Sequence, residues 1–141
     1  MSNAAILACY RESPLDLPEL IAGEVWESLG GLYRLEVQQI TSGIEVYYGR
    51  QWLKSVLAAD SVLTGYAPGG IWYSSAPSGT ATPYIILSLQ SAIDVLTMNA
   101  HRLMVQPLYQ IRAFGPAAIS TTIAAAAAEI DLLLARTSGM I

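Results

Sequence analysis

One histidine, His101, and one cysteine, Cys9, are the residues of this 141-residue chain with the usual equipment for nucleophilic or metal chemistry, and they lie far apart in the sequence. A histidine works as a general base only beside a nucleophile and an orienting group, and the common metal sites need three or four ligands. His101 lies in "TMNAHRL" next to Arg102, a polar segment that reads as a solvated loop. A single cysteine excludes an internal disulfide and most cysteine-based metal sites, and Cys9, small and set in an apolar strand, reads as a core residue. The carboxylates Asp94, Glu129 and Asp131 show no spacing that marks an acid/base pair. "TGYAPGG" (64–70) does not continue into a phosphate-binding loop. The expectation is a chain that is not an enzyme, with no catalytic residues, no cofactor and no metal.

The aromatic residues say more. There are three Trp, eight Tyr and one Phe. Trp26, Tyr48, Tyr66, Trp72 and Tyr73 fall in or beside loops or at element ends, where Trp and Tyr serve either as core or as anchors of a protein interface. Arg34, Glu36, Gln110 and Arg112 fall on outward strand faces, which suits either contact between subunits or an ordinary solvated sheet face. The contact candidates are Trp26, Tyr33, Arg34, Asp94, Asn99, His101 and Arg102. The excursion from Ala92 to Arg102 ranks first among them and the loop around Trp26 second.

Composition points the same way. Charged residues are 13% of the chain, about half the ~25% of ordinary soluble domains, while hydrophobic residues reach 53% and mean hydropathy is +0.42. So few charges cannot cover the surface of a lone domain, which leaves a membrane span or burial against other subunits. No ~18-residue run is uninterruptedly apolar: "IAAAAAEIDLLLA" (123–135) is broken by Glu129 and Asp131, so no membrane is expected. Residues 1–9 lack the basic start of a signal peptide. With a net charge of −4 and seven Lys+Arg scattered singly, no nucleic-acid partner is expected either. The chain reads as cytosolic and soluble only as an assembly.

A single domain, 1–141, has to position these residues. "AAILACY" (4–10) is a short strand, and 14–28 is a loop, with Pro14 and Pro18 forbidding a continuous ladder. "GGLYRLEVQ" (30–38) alternates cleanly after a Gly-Gly corner, with Tyr33, Leu35 and Val37 on one side and Leu32, Arg34, Glu36 and Gln38 on the other. Residues 40–43 are a linker. A helical period runs from Ile44 to about Asp60, weakened by Gly49. Strands are expected at 71–75, 84–90 and 103–114, with 91–102 a hairpin excursion or loop. After Gly115-Pro116 a helix runs to about Thr137, carrying five alanines (124–128) as a thin packing surface and stopping at Ser138-Gly139. The expected fold class is α+β: a largely antiparallel sheet with two α-helices on one face.

Two blocks of this sequence resemble the tail terminator or tail completion (head–tail joining) proteins of long-tailed bacteriophages. "DVLTMNAHRLMVQPLYQIRAFG" (94–115) is similar to that family's hairpin and the strand leading to its last long helix. Arg11-Glu12, Pro14, Glu19, Gly23 and "LGGLYRLEVQ" (29–38) resemble its closing hairpin and final strand, and "GRQWLKSVLAAD" (49–60) resembles its beginning. The resemblance implies a ring of identical subunits, typically a hexamer, that caps the head-proximal end of the tail tube, stops tube polymerisation and meets the head connector. Its partners would be the tail tube protein and the head connector protein. It would reside in the virion tail and, during assembly, in the host cytoplasm.

The order departs from that family. Residues 4–39, which resemble the family's C-terminal part, here precede 44–137, which resemble its N-terminal and central part. A circular permutation with the fold intact accounts for this, since "LLLARTSGMI" followed by "SNAAILACYRESP" reads as helix, turn and strand. It requires the strand containing Cys9 to start within a few residues' reach of the end of the last helix. The alternative from another class is a small ligand- or peptide-binding α+β module, without enzyme activity, that oligomerises through its sheet.

Overall fold

A computed structural model describes residues 5–13, 19–21, 26–38, 45–96, 102–134 and 136–140. The elements in chain order are β1 (Ala5–Arg11), β2 (Glu19–Ile21), β3 (Trp26–Gln38), α1 (Glu45–Ala59), α2 (Ser61–Tyr66), β4 (Ile71–Tyr73), β5 (Tyr84–Leu96), β6 (Arg102–Pro116), α3 (Ser120–Leu134) and β7 (Arg136–Met140). Among the described residues all seven strands form one sheet in the order β4-β5-β6-β3-β1-β7, with β2 beside the first residues of β3. Every pairing is antiparallel except β4 with β5. The fold class is α+β, as expected, with a third, short helix beyond the two that were expected.

The alternation in β3 sets the two faces. Tyr33, Leu35 and Val37 are buried on the helix side, together with Ile85 and Leu87 of β5, Tyr109, Ile111 and Ala113 of β6, and Ile6 and Cys9 of β1. From α1 come Trp52, Leu53 and Leu57, and from α3 Ile123, Ala126, Ile130 and Leu134. Tyr33 and Tyr109 are cross-strand partners in the middle of this core. Their hydroxyls diverge: Tyr33 donates to Asp131 Oδ1 on α3 at 3.1 Å, and Tyr109 donates to the Val46 carbonyl on α1 at 2.7 Å. Each helix is thus tethered to the sheet by one phenol, and burial pushes both phenols up from their ordinary pKa. Cys9 is buried and its thiol is pushed up to about 12 by desolvation, so it is a core residue as read.

Gly49, read as a weakness in the first helix, marks its closest approach to the sheet: a Cβ there would lie 3.3 Å from both Leu35 Cδ2 and Val37 Cγ2. The helix gives up some propensity so that α1 can sit down on β3. α1 ends before Asp60, whose carboxylate accepts from the Leu63 backbone N–H at 3.3 Å and caps α2. In α3, Ala126 and Ala127 face inward while Ala124 and Ala128 are exposed, so the polyalanine run is a thin packing surface on one side only. Ala117–Leu134 is long and apolar enough overall to cross a membrane despite its two acids. In this fold it is the helical cover of the sheet, with Ile123, Ile130 and Leu134 inside.

Several boundaries differ from the sequence reading. The last helix ends at Leu134 rather than Thr137, and Arg136–Met140 is a strand that pairs with β1, Ala5 opposite Met140. The backbone groups of β1 find partners there, and that gain outweighs one more helical turn. The described ends of the chain therefore lie side by side, the adjacency a permuted order requires. Gly30-Gly31 is no corner but the middle of β3, which begins at Trp26. Residues 14–28 are not one loop, because Glu19–Ile21 pairs with Ser28–Trp26 along the edge that β1 leaves. Residues 91–96 are strand rather than excursion, since they continue β5 alongside β6.

Candidate interaction surface

The sheet face opposite the helices has no element of this chain over it among the described residues. Register places Trp26, Ser28, Gly30, Leu32 and Arg34 of β3, Leu108, Gln110, Arg112 and Phe114 of β6, and Tyr84, Ile86 and Ser88 of β5 on it. Trp26, Tyr84 and Phe114 form a row across three strands: the Trp26 and Tyr84 centroids are 6.2 Å apart, and Tyr84 stacks on Phe114 at 5.9 Å with 13° between planes. Trp26 is thus a half-buried strand residue, not part of a loop.

The two arginines on this face are already engaged. Arg34 is 8% exposed; its Nε and Nη2 donate to the two Glu12 carboxylate oxygens at 3.2 and 3.3 Å, and Nη1 donates to the Gln106 carbonyl at 3.0 Å. Arg112, also 8% exposed, donates from Nε to Ser28 Oγ at 3.1 Å. A fork geometry held on both prongs satisfies a charge that would be costly to bury alone. Arg34 as an outward contact is therefore corrected, and so is Tyr33, which is fully buried on the other face. A partner reaches neither side chain without displacing these bonds.

Asp94 stands exposed on β5, opposite Val105. Arg102 opens β6 as the partner of Leu96. Asn99 and His101 lie outside the described residues. What β5 presents is an edge. Beyond Leu87, where β4 ends, no described strand pairs with its outer side. Along that stretch Leu89, Ile93 and Leu96 are 48%, 50% and 56% exposed. A bulge between Leu89 and Ser91 shifts the alternation, which puts Leu89 on the helix-side face and Ile93 on the opposite one. The edge therefore exposes apolar side chains on both faces, with the Asp94 carboxylate on the helix-side one.

A second feature went unread in the sequence. The Arg50 guanidinium lies 4.3 Å from the Tyr73 ring centroid and 5.4 Å from that of Tyr47, and Lys54 Nζ lies 5.3 Å from Tyr73. Tyr73 donates its hydroxyl back to the Arg50 carbonyl at 3.2 Å. The spacing Tyr47, Arg50, Lys54 on one helical stripe was legible; Tyr73 comes from β4 and was not. Beside it an apolar cleft of about 100 Å³ opens between α1, α2 and the β4–β5 edge. A wider hollow of about 270 Å³ lies between the starts of β3 and α3, with Glu27, Ser120 and Thr121 at its rim.

Of the carboxylates, Asp131 sits 3.4 Å from Arg11 and accepts from Tyr33. Glu129 shares a hydrogen bond with Asp60, which raises its pKa above the ordinary 4.5, with slight desolvation and the Asp60 charge adding to the rise. A raised carboxyl pKa favours the protonated, folded state. The contribution is complete below about pH 4.5 and is lost as pH rises through the shifted value. Glu129→Gln keeps a donor for Asp60 at every pH. The melting temperature of this variant should match that of the wild type near pH 4 and exceed it progressively toward pH 7; parallel curves would show that the pair does not couple.

No family model, curated protein or solved structure matches the chain.

Proposed function

We propose that this chain is a structural assembly protein without enzyme activity, resembling a phage tail terminator, whose subunits close into a ring at the head-proximal end of a tail tube. The observation that carries the reading is the outer edge of β5 from Ser88 to Leu96, which no strand covers among the described residues, with Leu89, Ile93 and Leu96 half exposed along it. An edge of this length, largely apolar with one charge at Asp94, is a template for another strand, and monomers normally blunt such edges more heavily with charge, proline or a covering loop. Removing the remaining exposed surface of each side chain from water is worth about 1 kcal/mol. Together with a chain that is only 13% charged, this favours a subunit that is complete only beside its neighbours. Ala5 lying opposite Met140 supports the permuted order, because β7 leads from the last helix to the side of β1, where a short connection could join them.

Native mass spectrometry with negative-stain imaging tests the ring directly. Six-fold rings or stacks of them are expected; a monomer or dimer at micromolar concentration overturns the reading. The same edge also suits addition of a peptide strand, the mode of a small binding module, and a dimer that takes up an extended peptide would favour that reading instead.

A further inference from the structure

We infer that Leu132 and Glu129 of one copy dock into the apolar cleft beside Lys54 of the next copy, a contact that rests on the ring reading above. Leu132 on α3 is 79% exposed, the most exposed large apolar side chain among the described residues. It stands three residues from Glu129, so the two are neighbours on the helix surface. The exposed Ala128 beside them leaves room for close approach. An isolated knob of this kind gains nothing in a monomer.

The cleft is the matching hole. Ala58, Leu63, Thr64, Ala67 and Ile71 line it with Lys54, and its volume of about 100 Å³ is on the scale of the ~150 Å³ void that truncating a buried leucine leaves. Lys54 shares the Tyr73 ring with Arg50. Neither cation forms an ion pair among the described residues, although Arg11 and Arg34 each have a carboxylate. Among the described residues Arg50 Nε is buried without a hydrogen-bond partner. Two like charges one turn apart, with no carboxylate against them among the described residues, suit an acidic neighbour.

Glu129 and Asp60 are the converse, two carboxylates pressed together on the α2–α3 side. Apolar knob beside acid on one element and apolar hole beside base on others are complementary in size and in charge. Leu132 is open to solvent and so does not fill the cleft of its own chain. A knob and a hole at different places on one surface can meet reciprocally across a two-fold axis or head-to-tail; under the ring reading the contact is head-to-tail and closes when the rotation allows.

Leu132→Asp, Glu129→Lys and Lys54→Glu, each checked by circular dichroism and thermal melting, test this by native mass spectrometry across a concentration series. Each single variant should raise the half-assembly concentration by at least about tenfold with the fold unchanged. The Glu129→Lys/Lys54→Glu double variant should recover much of the loss. Ala58→Phe plugs the cleft from an exposed helix position and should act like Leu132→Asp, which decides the matter if the latter perturbs the fold. Rings that form equally well in all variants overturn this contact while leaving the ring reading intact. A wild-type chain that stays monomeric overturns both.

Discussion

Gly30→Ala should destabilise the domain by about 3 kcal/mol, at the upper end of what overpacking usually costs, and lower the melting temperature by roughly 10 °C. A Cβ at position 30 would collide with the Ile111 carbonyl oxygen and come within 2.7 Å of Arg112 Cα and 2.8 Å of Arg112 Cγ. Two of these three atoms are backbone in β6, the strand that pairs with β3 along most of its length, so neither can step aside without opening the ladder. The third belongs to the stem of Arg112, whose guanidinium donates to Ser28 beside the vacant Cβ position. Glycine at position 30 is thus what allows an arginine to lie down on the sheet. Gly65→Ala serves as the control, because nothing lies within 4 Å of a Cβ there and α2 gains propensity. Differential scanning calorimetry of the two variants checks the pair; equal melting temperatures would show that β3 and β6 yield more easily than their register implies.

Leu89→Lys together with Ile93→Lys should abolish assembly and leave the chain monomeric, with a melting temperature within about 2 °C of the wild type. Both side chains are about half exposed, on opposite faces of the free β5 edge, so placing ammonium groups there costs little within the subunit. In an edge-to-edge contact the same groups would have to be desolvated or meet each other, and charged edges are a recognised barrier to strand addition. Native mass spectrometry of the double variant beside the wild type reads the outcome. Rings of undiminished stability would move the subunit contact away from β5. The matching substitution on the uncovered sheet face, Leu32→Lys, separates the edge from that face as the site of contact.

The contact candidates fared unevenly for physical reasons. A period of two along "LYRLEVQ" placed Tyr33, Leu35 and Val37 together correctly, and burial follows directly from that period. Arg34 falls outward by the same period, as Arg112 does on β6, but an outward position does not make a side chain available. Glu12, Gln106 and Ser28 engage them, and these partners come from β6, from elsewhere on β3 and from the residue after β1. Pro14, Pro18 and the Gly-Gly pair make Trp26 read as loop; the strand runs through both glycines because β6 pairs with them, and β2 pairs with Trp26–Ser28 ahead of them. The Arg50–Lys54 pair over Tyr73 is not legible in the sequence, because Tyr73 reaches it from another element, β4.

By itself the amino-acid sequence determined the α+β class, the two long helices and the core strands, the burial of Cys9, and the shortage of charge. These depend on periodicity and composition, which are properties of neighbouring residues. Only the tertiary structure decided that Arg136–Met140 becomes a strand and that residues 91–96 extend β5 into an open edge. It also decided that the glycine at 30 makes room for Arg112, that Leu132 is left exposed, and that an apolar cleft opens beside Lys54. Each of those depends on what a distant segment offers, a hydrogen-bond partner or an unfilled space, and local propensity yields whenever such an offer is worth more than the fraction of a kcal/mol it carries.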